Sequence, residues 1–265
     1  MIQVGISGAA GRMGKTLVQL INENEGLALA AGIEAAGNQA LGQDIGELSG
    51  IGPRSIALTD DLDVLARVDV VIDFTVPDAT LALAQRCAEL EKAMVIGTTG
   101  LTPEQLDHLN SFAQRTPIFV SPNMSVGVNL SMHLIRLAAE ALGDTVDVEV
   151  IEAHHRHKID APSGTALRIG EVLAEALHRD LATDAIYGRE GITGARERNT
   201  IGFSTVRGGD IVGEHTVLFA GEGERLEITH RAHSRTNFAQ GALRAAEFIV
   251  AQPAGWYDMS DLLGF

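Results

Sequence analysis

Five titratable residues lie side by side in one short stretch of the chain, His154, His155, Arg156, His157 and Lys158. Imidazole titrates near neutral pH, and an ammonium group that is shielded from water can do so as well. Such groups can give protons to a bound anion and form charge-assisted hydrogen bonds with its carboxylates. This basic stretch therefore predicts proton-transfer chemistry on an anionic substrate.

The flanking residues predict the elements that hold the basic stretch in place. Residues 147–152 alternate acidic and apolar side chains, which is typical of a half-buried strand. Ser163 follows Pro162 and precedes apolar residues at helical spacing, so we expect it near a helix N-cap. The first amides of a helix attract anions. The basic stretch is thus expected between a strand end and an anion-binding helix start.

Two other interpretations of the basic stretch remain. A solvent-exposed basic turn would require no chemistry from these side chains. A metal site is disfavoured because the three histidines have no neighbouring cysteine and the His-Glu-x-x-His spacing is absent. We therefore expect no bound metal.

The composition is that of an ordinary globular protein. The chain has 265 residues, of which 45% are hydrophobic and 21% charged, enough for one large or two modest domains. It contains no apolar run of membrane-spanning length and no pattern of a signal peptide at its start, so we expect a cytoplasmic protein. Its one cysteine, Cys87, excludes an internal disulfide and fits a helical pattern as a core residue.

The formal net charge of −15 bears on the choice of partner. A strongly negative protein repels nucleic acid and anionic membrane surfaces. A small anion can still bind at the basic stretch, because exposed charges more than about 10 Å away are largely screened at moderate salt. We expect a small anionic substrate, with neither nucleic acid nor a membrane as partner.

The N-terminal half alternates strand-like and helix-like segments. This alternation predicts a doubly wound α/β domain with a parallel sheet. Thr102, Pro103 and Gln105 together predict a capping box at one helix start. Predicted strands cover residues 2–6, 27–34, 68–74, 94–97 and 118–121, and predicted helices cover residues 13–22, 79–90 and 102–114.

A glycine-rich segment with the sequence Gly-Ala-Ala-Gly-Arg-Met-Gly, residues 8–14, follows the first predicted strand and opens the first predicted helix. A dinucleotide-binding turn has this context. Glu34 lies 20 residues beyond Gly14 at the end of the second predicted strand, where a carboxylate can accept the ribose hydroxyls. The combination predicts a dinucleotide cofactor, and a tight turn without any ligand is the alternative.

Two further loops follow later predicted strands, residues 97–100 (Gly-Thr-Thr-Gly) and 121–125 (Ser-Pro-Asn-Met-Ser). Ligands bind at the carboxyl ends of strands in open parallel sheets. Small residues in these loops let the backbone approach a cofactor closely, although ordinary turn chemistry explains either loop alone.

The pattern changes to α+β after residue 125. We expect an open mixed sheet here, and its uncovered face predicts subunit association. The expected domains are residues 1–125 with 235–265 for the dinucleotide, and residues 126–234 for the substrate and for oligomerisation. Predicted elements are helices at 126–142, 163–177 and 237–251 and strands at 147–152, 201–207, 215–220 and 225–230, with a hairpin turn at 221–224 and a polar stretch at 183–199.

Together these motifs resemble one family, the 4-hydroxy-tetrahydrodipicolinate reductases, long called dihydrodipicolinate reductases, of bacterial and plant lysine and diaminopimelate biosynthesis. The most specific segment is 152–165, Glu-Ala-His-His-Arg-His-Lys-Ile-Asp-Ala-Pro-Ser-Gly-Thr, which is similar to the family signature in length and order. Segments 4–14, 97–100 and 122–129 are similar to the family's cofactor segments. The resemblance covers nearly the whole chain.

The resemblance implies an NADH- or NADPH-dependent reduction in which the hydroxyl of a cyclic dicarboxylate leaves as water and hydride reaches the conjugated ring. It implies that His154 is a proton donor or acceptor and that Lys158 is a second proton donor. His155, Gly164 and Thr165 are implied to bind a substrate carboxylate. The implied assembly is a homotetramer built through the second domain. The implied cofactor residues are Gly8, Ala9, Ala10, Gly11, Arg12, Met13, Glu34, Gly97, Thr98, Thr99, Ser121, Pro122, Asn123 and Met124.

One departure from the family pattern concerns the choice of cofactor. Many members place an arginine directly after the acidic residue to meet the 2′-phosphate of NADPH, whereas Glu34 is followed here by Ala35 and Ala36. Arg12 and Lys15 could still neutralise that phosphate. Both NADH and NADPH therefore stay open.

Two alternatives to this function remain at the level of sequence. A non-catalytic NAD-binding regulator would keep the glycine-rich turn and Glu34 but has no need of the basic stretch. Another two-domain dehydrogenase, such as an amino-acid dehydrogenase, would share the general layout.

Overall fold

A computed structural model describes the whole chain, Met1–Phe265. The chain divides into two compact units, Met1–Val126 with Thr236–Phe265, and Gly127–Arg235. The strands are β1 (Ile2–Ser7), β2 (Leu27–Ile33), β3 (Leu58–Thr59), β4 (Val70–Asp73), β5 (Ala93–Ile96), β6 (Pro117–Val120), β7 (Asp147–His154), β8 (Ala185–Ile186), β9 (Ile201–Arg207), β10 (Gly213–Ala220), β11 (Arg225–Ala232) and β12 (Gly255–Tyr257). The α-helices are α1 (Arg12–Glu23), α2 (Ile45–Leu48), α3 (Pro77–Leu90), α4 (Pro103–Ala113), α5 (Val126–Leu142), α6 (Gly164–Leu177), α7 (Leu181–Asp184), α8 (Thr236–Ile249) and α9 (Met259–Leu263), and 3₁₀ helices lie at Leu62–Arg67 and Gly143–Thr145.

The first unit is built on a seven-stranded sheet in the order β12-β6-β5-β4-β1-β2-β3. All of its strand pairs are parallel. Strands β4 and β5 are buried along their whole length, and all of their residues except Asp73 are apolar. Such continuous apolar strands are typical of a parallel sheet with helices on both faces. The expected doubly wound α/β fold, which is of the Rossmann type, is confirmed.

Two apolar clusters cover the two faces of this sheet. Val70 and Ile72 of β4 belong to one cluster and Val71 to the other, as expected from the alternation of side chains along a strand. The first cluster contains residues of α1 and α8, and the second contains residues of α3 and α4. The fully buried Cys87 packs in the second cluster, where burial raises the pKa of its thiol to about 12. The prediction that it is a core residue is confirmed.

Helix α8 brings the end of the chain back to the first unit. A Cβ atom at Gly241 would overlap the carbonyl oxygen of Met124, so the helix lies against that backbone. The following β12 pairs with β6 and forms one edge of the sheet. The sequence pattern did not predict β12, because three residues are too few to show a period. The buried residues of α8 are mostly small: Ala239, Gly241, Ala242, Leu243, Ala245, Ala246 and Ile249.

Local hydrogen bonds explain both a predicted and an unpredicted helix of the first unit. The capping box that Thr102 and Gln105 predict at the start of α4 is confirmed. Helix α2, by contrast, was not predicted. Asp44 caps it by accepting hydrogen bonds from the amides of Gly46 and Glu47. A four-residue helix made by one side chain has no apolar period to recognise.

The second unit holds a five-stranded sheet in the order β11-β10-β7-β9-β8. The pairs β10/β11 and β10/β7 are antiparallel, whereas β7/β9 and β8/β9 are parallel, so the expected mixed sheet is confirmed. The amide of Gly221 donates to the carbonyl of Glu224 at 3.0 Å in the predicted hairpin turn. The inner face packs against α5 and α6 around Val150, Phe203 and Phe219.

The outer face of this second sheet is partly apolar and open. Ile151 is 39% exposed and Val206 is 49% exposed, and these residues lie on neighbouring strands. Leu130, Leu134 and Leu137 of α5 are also exposed, at the spacing of one helix face. None of the chain's helices is both long and apolar enough to span a membrane.

Candidate active site

Strand β7 and helix α6 hold the basic stretch between them. Strand β7 ends at His154, two residues beyond the predicted strand, so His154 belongs to the strand itself. The hydroxyl of Ser163 accepts a hydrogen bond from the amide of Ala166 at 3.1 Å, which confirms the predicted N-cap. The sequence analysis expected the first amides of this helix to be available to an anion. One of them, the amide of Ala166, is instead bound by the Ser163 hydroxyl.

A buried glutamate connects the parts of this site. Glu152 is 1% exposed, and its Oε2 lies 2.6 Å from Nδ1 of His154. Arg207 donates to both carboxylate oxygens at 2.8 Å. The amide of Ser163 and the hydroxyl of Thr205 donate to Oε1 at 3.1 and 3.3 Å. Donors from β7, β9 and the start of α6 thus hold one carboxylate.

The charges of this pair follow from burial and hydrogen bonding. Burial acts to raise the pKa of Glu152, but the hydrogen bonds from Arg207 and His154 outweigh it and hold that pKa below its ordinary value. Burial lowers the pKa of His154, and the hydrogen bond to Glu152 acts in the opposite direction without cancelling it. At neutral pH Glu152 is therefore ionised and His154 neutral.

A second buried histidine lies next to the first. The rings of His154 and His215 are 5.2 Å apart and nearly perpendicular. Nε2 of His215 lies 3.0 Å from the hydroxyl of Ser163, whereas its Nδ1 is buried without a partner. Burial, with a smaller contribution from His154, lowers the pKa of His215 to about 4. His215 is therefore uncharged at neutral pH.

Lys158 lies in the loop after β7. Its Nζ is 2.9 Å from Oδ1 of Asp160, and its side chain is 20% exposed. The Lys158 ammonium lowers the pKa of Asp160. Because an ion pair with an exposed carboxylate contributes little free energy, Lys158 can exchange this partner for a ligand at small cost.

A cavity of about 350 Å³ opens beside the basic stretch and has room for a small molecule. Two histidines and one arginine outnumber the single acid in its lining. Nδ1 of His155 is buried without a protein partner and so remains available to a ligand atom. No group of three or more His, Cys, Asp or Glu side chains is placed to hold a metal ion. The lining residues are His155, His157, Gly209, Asp210, Val212 and Arg235.

The glycine-rich turn of residues 8–14 joins β1 to α1 in the first unit. Gly8 has a φ of +70°, which side-chain-bearing residues rarely adopt. A Cβ atom at Gly14 would lie 2.6 Å from Cα of Ala9, so only glycine lets the helix start this close to the turn. Helix α1 begins after Gly11 without a side-chain cap. Its first amides are therefore open to an anionic group such as a pyrophosphate.

Glu34 contacts this turn. It follows β2 directly, and its Oε2 accepts a hydrogen bond from the amide of Ala10 at 3.2 Å. Its Oε1 accepts from the amide of Ala35 at 3.1 Å. Arg12 is exposed at the start of α1. The acidic residue and the glycine-rich turn, which the sequence pattern paired by spacing alone, are thus neighbours, and they fit the adenosine half of a dinucleotide.

The loops after β5 and β6 lie at the same sheet edge as the glycine-rich turn, because all of these strands are parallel. The hydroxyl of Thr98 donates to buried Asp73 at 3.1 Å, and Met124 is 1% exposed in the core. These two side chains are turned into the protein, and the carbonyl of Met124 lies against α8, so neither residue offers its side chain to a ligand. Thr99 and Pro122 are exposed.

The sequence pattern missed several residues of this site. The alternation along β7 places Glu152 and His154 on one face and would have been enough to pair them. Arg207 comes 55 residues after Glu152, and His215 comes 52 residues after Ser163. Only the pairing of strands places them next to these partners in the site. Asp160, Gly209, Asp210, Val212 and Arg235 come from loops whose course no period predicts.

Comparison with known protein families matches both parts of the chain. Residues 2–124 match the model described as dihydrodipicolinate reductase, N-terminus, and residues 127–263 match the model described as dihydrodipicolinate reductase, C-terminus. A protein of Alkalilimnicola ehrlichii named 4-hydroxy-tetrahydrodipicolinate reductase is 55% identical over 263 residues, which cover 99% of this chain and 98% of that protein.

Two solved structures show the extent of the structural similarity. The dipicolinate-bound dihydrodipicolinate reductase from Paenisporosarcina sp. TG-14 has a TM-score of 0.77 and 30% identity and covers 97% of either chain. The amine dehydrogenase from Mycobacterium smegmatis has a TM-score of 0.59 and 14% identity, over 96% of this chain and 94% of that one. The second likeness concerns the fold alone.

Proposed function

This chain belongs to the dihydrodipicolinate reductase family, and from that premise we propose which of its residues carry out the reaction. The reaction reduces (2S,4S)-4-hydroxy-2,3,4,5-tetrahydrodipicolinate to tetrahydrodipicolinate with loss of water, in lysine biosynthesis through diaminopimelate. A bound nicotinamide cofactor supplies the hydride. The observation that carries the assignment of roles is the contact of His154 with buried Glu152 beside a helix start and a basic cavity.

We assign the exchange of a proton with the substrate to His154. Its Nδ1 is engaged by Glu152, so Nε2 is the nitrogen that can face a ligand. The ring is neutral before substrate binds, because burial lowers its pKa. A bound dianion favours the charged imidazolium and raises that pKa again. Substrate binding thus brings His154 toward the protonated form that can give a proton up.

Lys158 is the second proposed proton donor. Its ammonium carries three donors and is held only by Asp160, an exposed partner. A carboxylate or a leaving hydroxyl of the substrate can take the place of Asp160. Because Lys158 comes only four positions after His154, both donors come from a single strand end.

The substrate carboxylates are assigned to the start of α6 and to the cavity. Gly164 and Thr165 form the first turn of the helix, where amides and the helix dipole favour an anion. His155 offers a buried nitrogen without a protein partner, and Arg235 adds a guanidinium to the cavity lining. The second unit is therefore the proposed substrate domain.

The first unit is the proposed cofactor domain. The glycine-rich turn would hold the pyrophosphate, and Glu34 would accept the ribose hydroxyls. Exposed Thr99 and Pro122, with the backbone of Thr98, would line the path to the nicotinamide. The full proposed set is Gly8, Ala9, Ala10, Gly11, Arg12, Met13, Glu34, Gly97, Thr98, Thr99, Ser121, Pro122, Asn123 and Met124.

NADH is expected to support turnover at least as well as NADPH. The carboxylate of Glu34 repels a 2′-phosphate, and Ala35 and Ala36 provide no charge to offset that repulsion. Comparing kcat/KM for the two cofactors, from the absorbance of the reduced nicotinamide, measures this choice and tests the reductase activity in the same assay. An advantage of tenfold or more for NADPH would contradict the expectation and assign the phosphate to Arg12 or Lys15.

Pyridine-2,6-dicarboxylate is expected to inhibit competitively with the substrate, and pyridine-2-carboxylate at least about tenfold more weakly. The relative from Paenisporosarcina was solved with dipicolinate bound, and the basic lining of this cavity suits the same dianion. Losing one carboxylate removes charge-assisted hydrogen bonds worth about 1.5–3 kcal/mol each. Inhibition constants at fixed NADH measure the difference.

Thr165→Val keeps the shape of the side chain and removes its hydroxyl, so it should weaken inhibition by the diacid and spare NADH binding. Thr183→Val, at an exposed threonine of α7, is the matched control. Equal inhibition by the diacid and the monoacid would refute a pocket for two carboxylates.

We further propose a homotetramer that assembles through the second unit. The outer sheet face exposes Ile151 and Val206 between charged side chains, and open apolar sheet faces are usually covered by another subunit. Sedimentation equilibrium at micromolar concentration tests this assembly, and a monomer there would refute it.

A further inference from the structure

Glu152 makes more contacts than a structural ion pair with Arg207 requires. Its Oε1 accepts hydrogen bonds from Arg207, Ser163 and Thr205, and its Oε2 accepts from Arg207 and lies 2.6 Å from His154. A carboxylate with this many donors has one orientation. Its remaining interaction, toward His154, is therefore fixed in direction as well.

We propose that Glu152 is a positioning residue for the reaction, which keeps the proton of neutral His154 on Nδ1 and leaves Nε2 as the atom that exchanges a proton with the substrate. An ionised carboxylate only accepts hydrogen bonds, so Nδ1 must be the donor of this pair. The inference rests on the proton-transfer role proposed for His154.

The surroundings of Nε2 support this assignment. A Cβ atom at Gly213 of β10 would lie 3.1 Å from Nε2 of His154, so any other residue there would crowd that nitrogen. The contact of His154 with Glu152 is made through the other ring nitrogen, Nδ1. The chain thus binds one ring nitrogen tightly and places a glycine, with no side chain, beside the other.

Charged and titratable groups surround His154 from several elements. Glu152 stabilises the imidazolium, whereas Lys158 and Arg207 disfavour it, and neutral His215 packs against the ring. Removing the charge of Glu152 takes away the anion that stabilises the imidazolium, while Lys158 and Arg207 still disfavour it. The protonated form of His154 should then appear only at lower pH.

Glu152→Gln tests the proposal with almost no change in shape. Three donors converge on Oε1, so the glutamine carbonyl should take that place and its NH₂ group should face Nδ1 of His154. The NH₂ group donates to Nδ1 and moves the ring proton to Nε2. We expect kcat to fall about 30-fold, with NADH binding unchanged and the acidic limb of the pH profile of kcat shifted to lower pH.

Nitrogen-15 NMR of labelled histidine reads the position of the proton directly. His154 is assigned by its loss in His154→Gln, and the parent should show the Nδ1–H form at pH 7.5, whereas Glu152→Gln should show the Nε2–H form. The parent spectrum tests the proposal even if the Glu152 variant does not fold. A parent His154 with its proton on Nε2 would overturn it.

Two controls separate positioning from a structural role. Glu149→Gln removes a carboxylate of the same strand that is also paired with arginines, Arg189 and Arg196, and should keep kcat within about threefold. In a His154→Ala background, Glu152→Gln should cost no further activity, because its effect passes through the imidazole. A full 30-fold loss in that background, or an equal loss in Glu149→Gln, would overturn the proposal.

The NMR result also separates this inference from the proposed function. If the parent does not reduce the dicarboxylate substrate, the proposed function fails, although the tautomer of His154 can still be read. If the parent is active and Glu152→Gln retains its full kcat, only the positioning role fails.

Discussion

His154→Ala and Lys158→Ala are each expected to lower kcat by about 10²-fold or more while NADH binding stays nearly unchanged. A positioned general acid or base typically accounts for a factor of 10²–10⁴ in rate. His154 and Lys158 belong to the second unit, whereas the proposed cofactor residues belong to the first, so both changes leave the proposed cofactor residues intact. Steady-state kinetics and a fluorescence titration with NADH measure the two effects separately.

Two matched variants make this test specific. Arg156→Ala changes an exposed cation of the same stretch and should keep kcat within a few-fold. Lys158→Arg keeps the charge but has no proton to give near neutral pH, so it should resemble Lys158→Ala in kcat. Turnover of both alanine variants within a few-fold of the parent would show that the proton donors lie elsewhere.

Acidification from pH 7.5 to pH 5 is expected to reduce the free energy of unfolding by about 2 kcal/mol through His215 alone. The folded-state pKa of His215 is lowered to about 4, below its ordinary value of 6.5. Below pH 6.5 the His215 imidazole is therefore protonated in the unfolded chain but not in the folded protein. The free energy of unfolding falls as pH falls. The loss is complete near pH 4, below which both states carry the proton. Urea unfolding at fixed protein concentration and several pH values measures it.

His215→Gln removes the titrating group and should make the unfolding free energy less dependent on pH between 6.5 and 4. The loss of stability of the parent in this pH range should exceed the contribution of His215, because burial also lowers the pKa values of His154 and His230. His233→Gln, at an exposed histidine of the same unit, is the control for the loss of a histidine side chain. Identical pH dependence in the parent and in His215→Gln would refute the assignment.

The pattern of apolar residues predicted the long elements of this chain well, since these elements supply most of the core. Strands β1 and β2 and helices α3 and α5 lie within a few residues of their predicted bounds. The elements between residue 35 and residue 67 were not predicted from the sequence. Their structure depends on single side chains such as Asp44, whose carboxylate accepts from four backbone amides. Contacts of this kind have no repeat in the sequence.

The residues of the candidate site likewise include some that the sequence reveals and some that only the fold brings together. His154, Lys158 and the N-cap Ser163 could be recognised because their neighbours in sequence are also their neighbours in space. Arg207 reaches Glu152 only because β9 lies beside β7 in parallel register, and a parallel neighbour requires a crossover whose partner strand the sequence does not specify. What was missed is mainly what the pairing of distant strands brings together.

The return of α8 and β12 to the first unit has a consequence for synthesis on the ribosome. The second unit is continuous in sequence, from Gly127 to Arg235, and can be completed as soon as it has left the exit tunnel. The first unit must wait for residues 236–265, because α8 fills one of its apolar clusters and β12 forms an edge of its sheet. Although domains usually become complete from the N-terminus onward during synthesis, here the unit that starts the chain is the last to be finished.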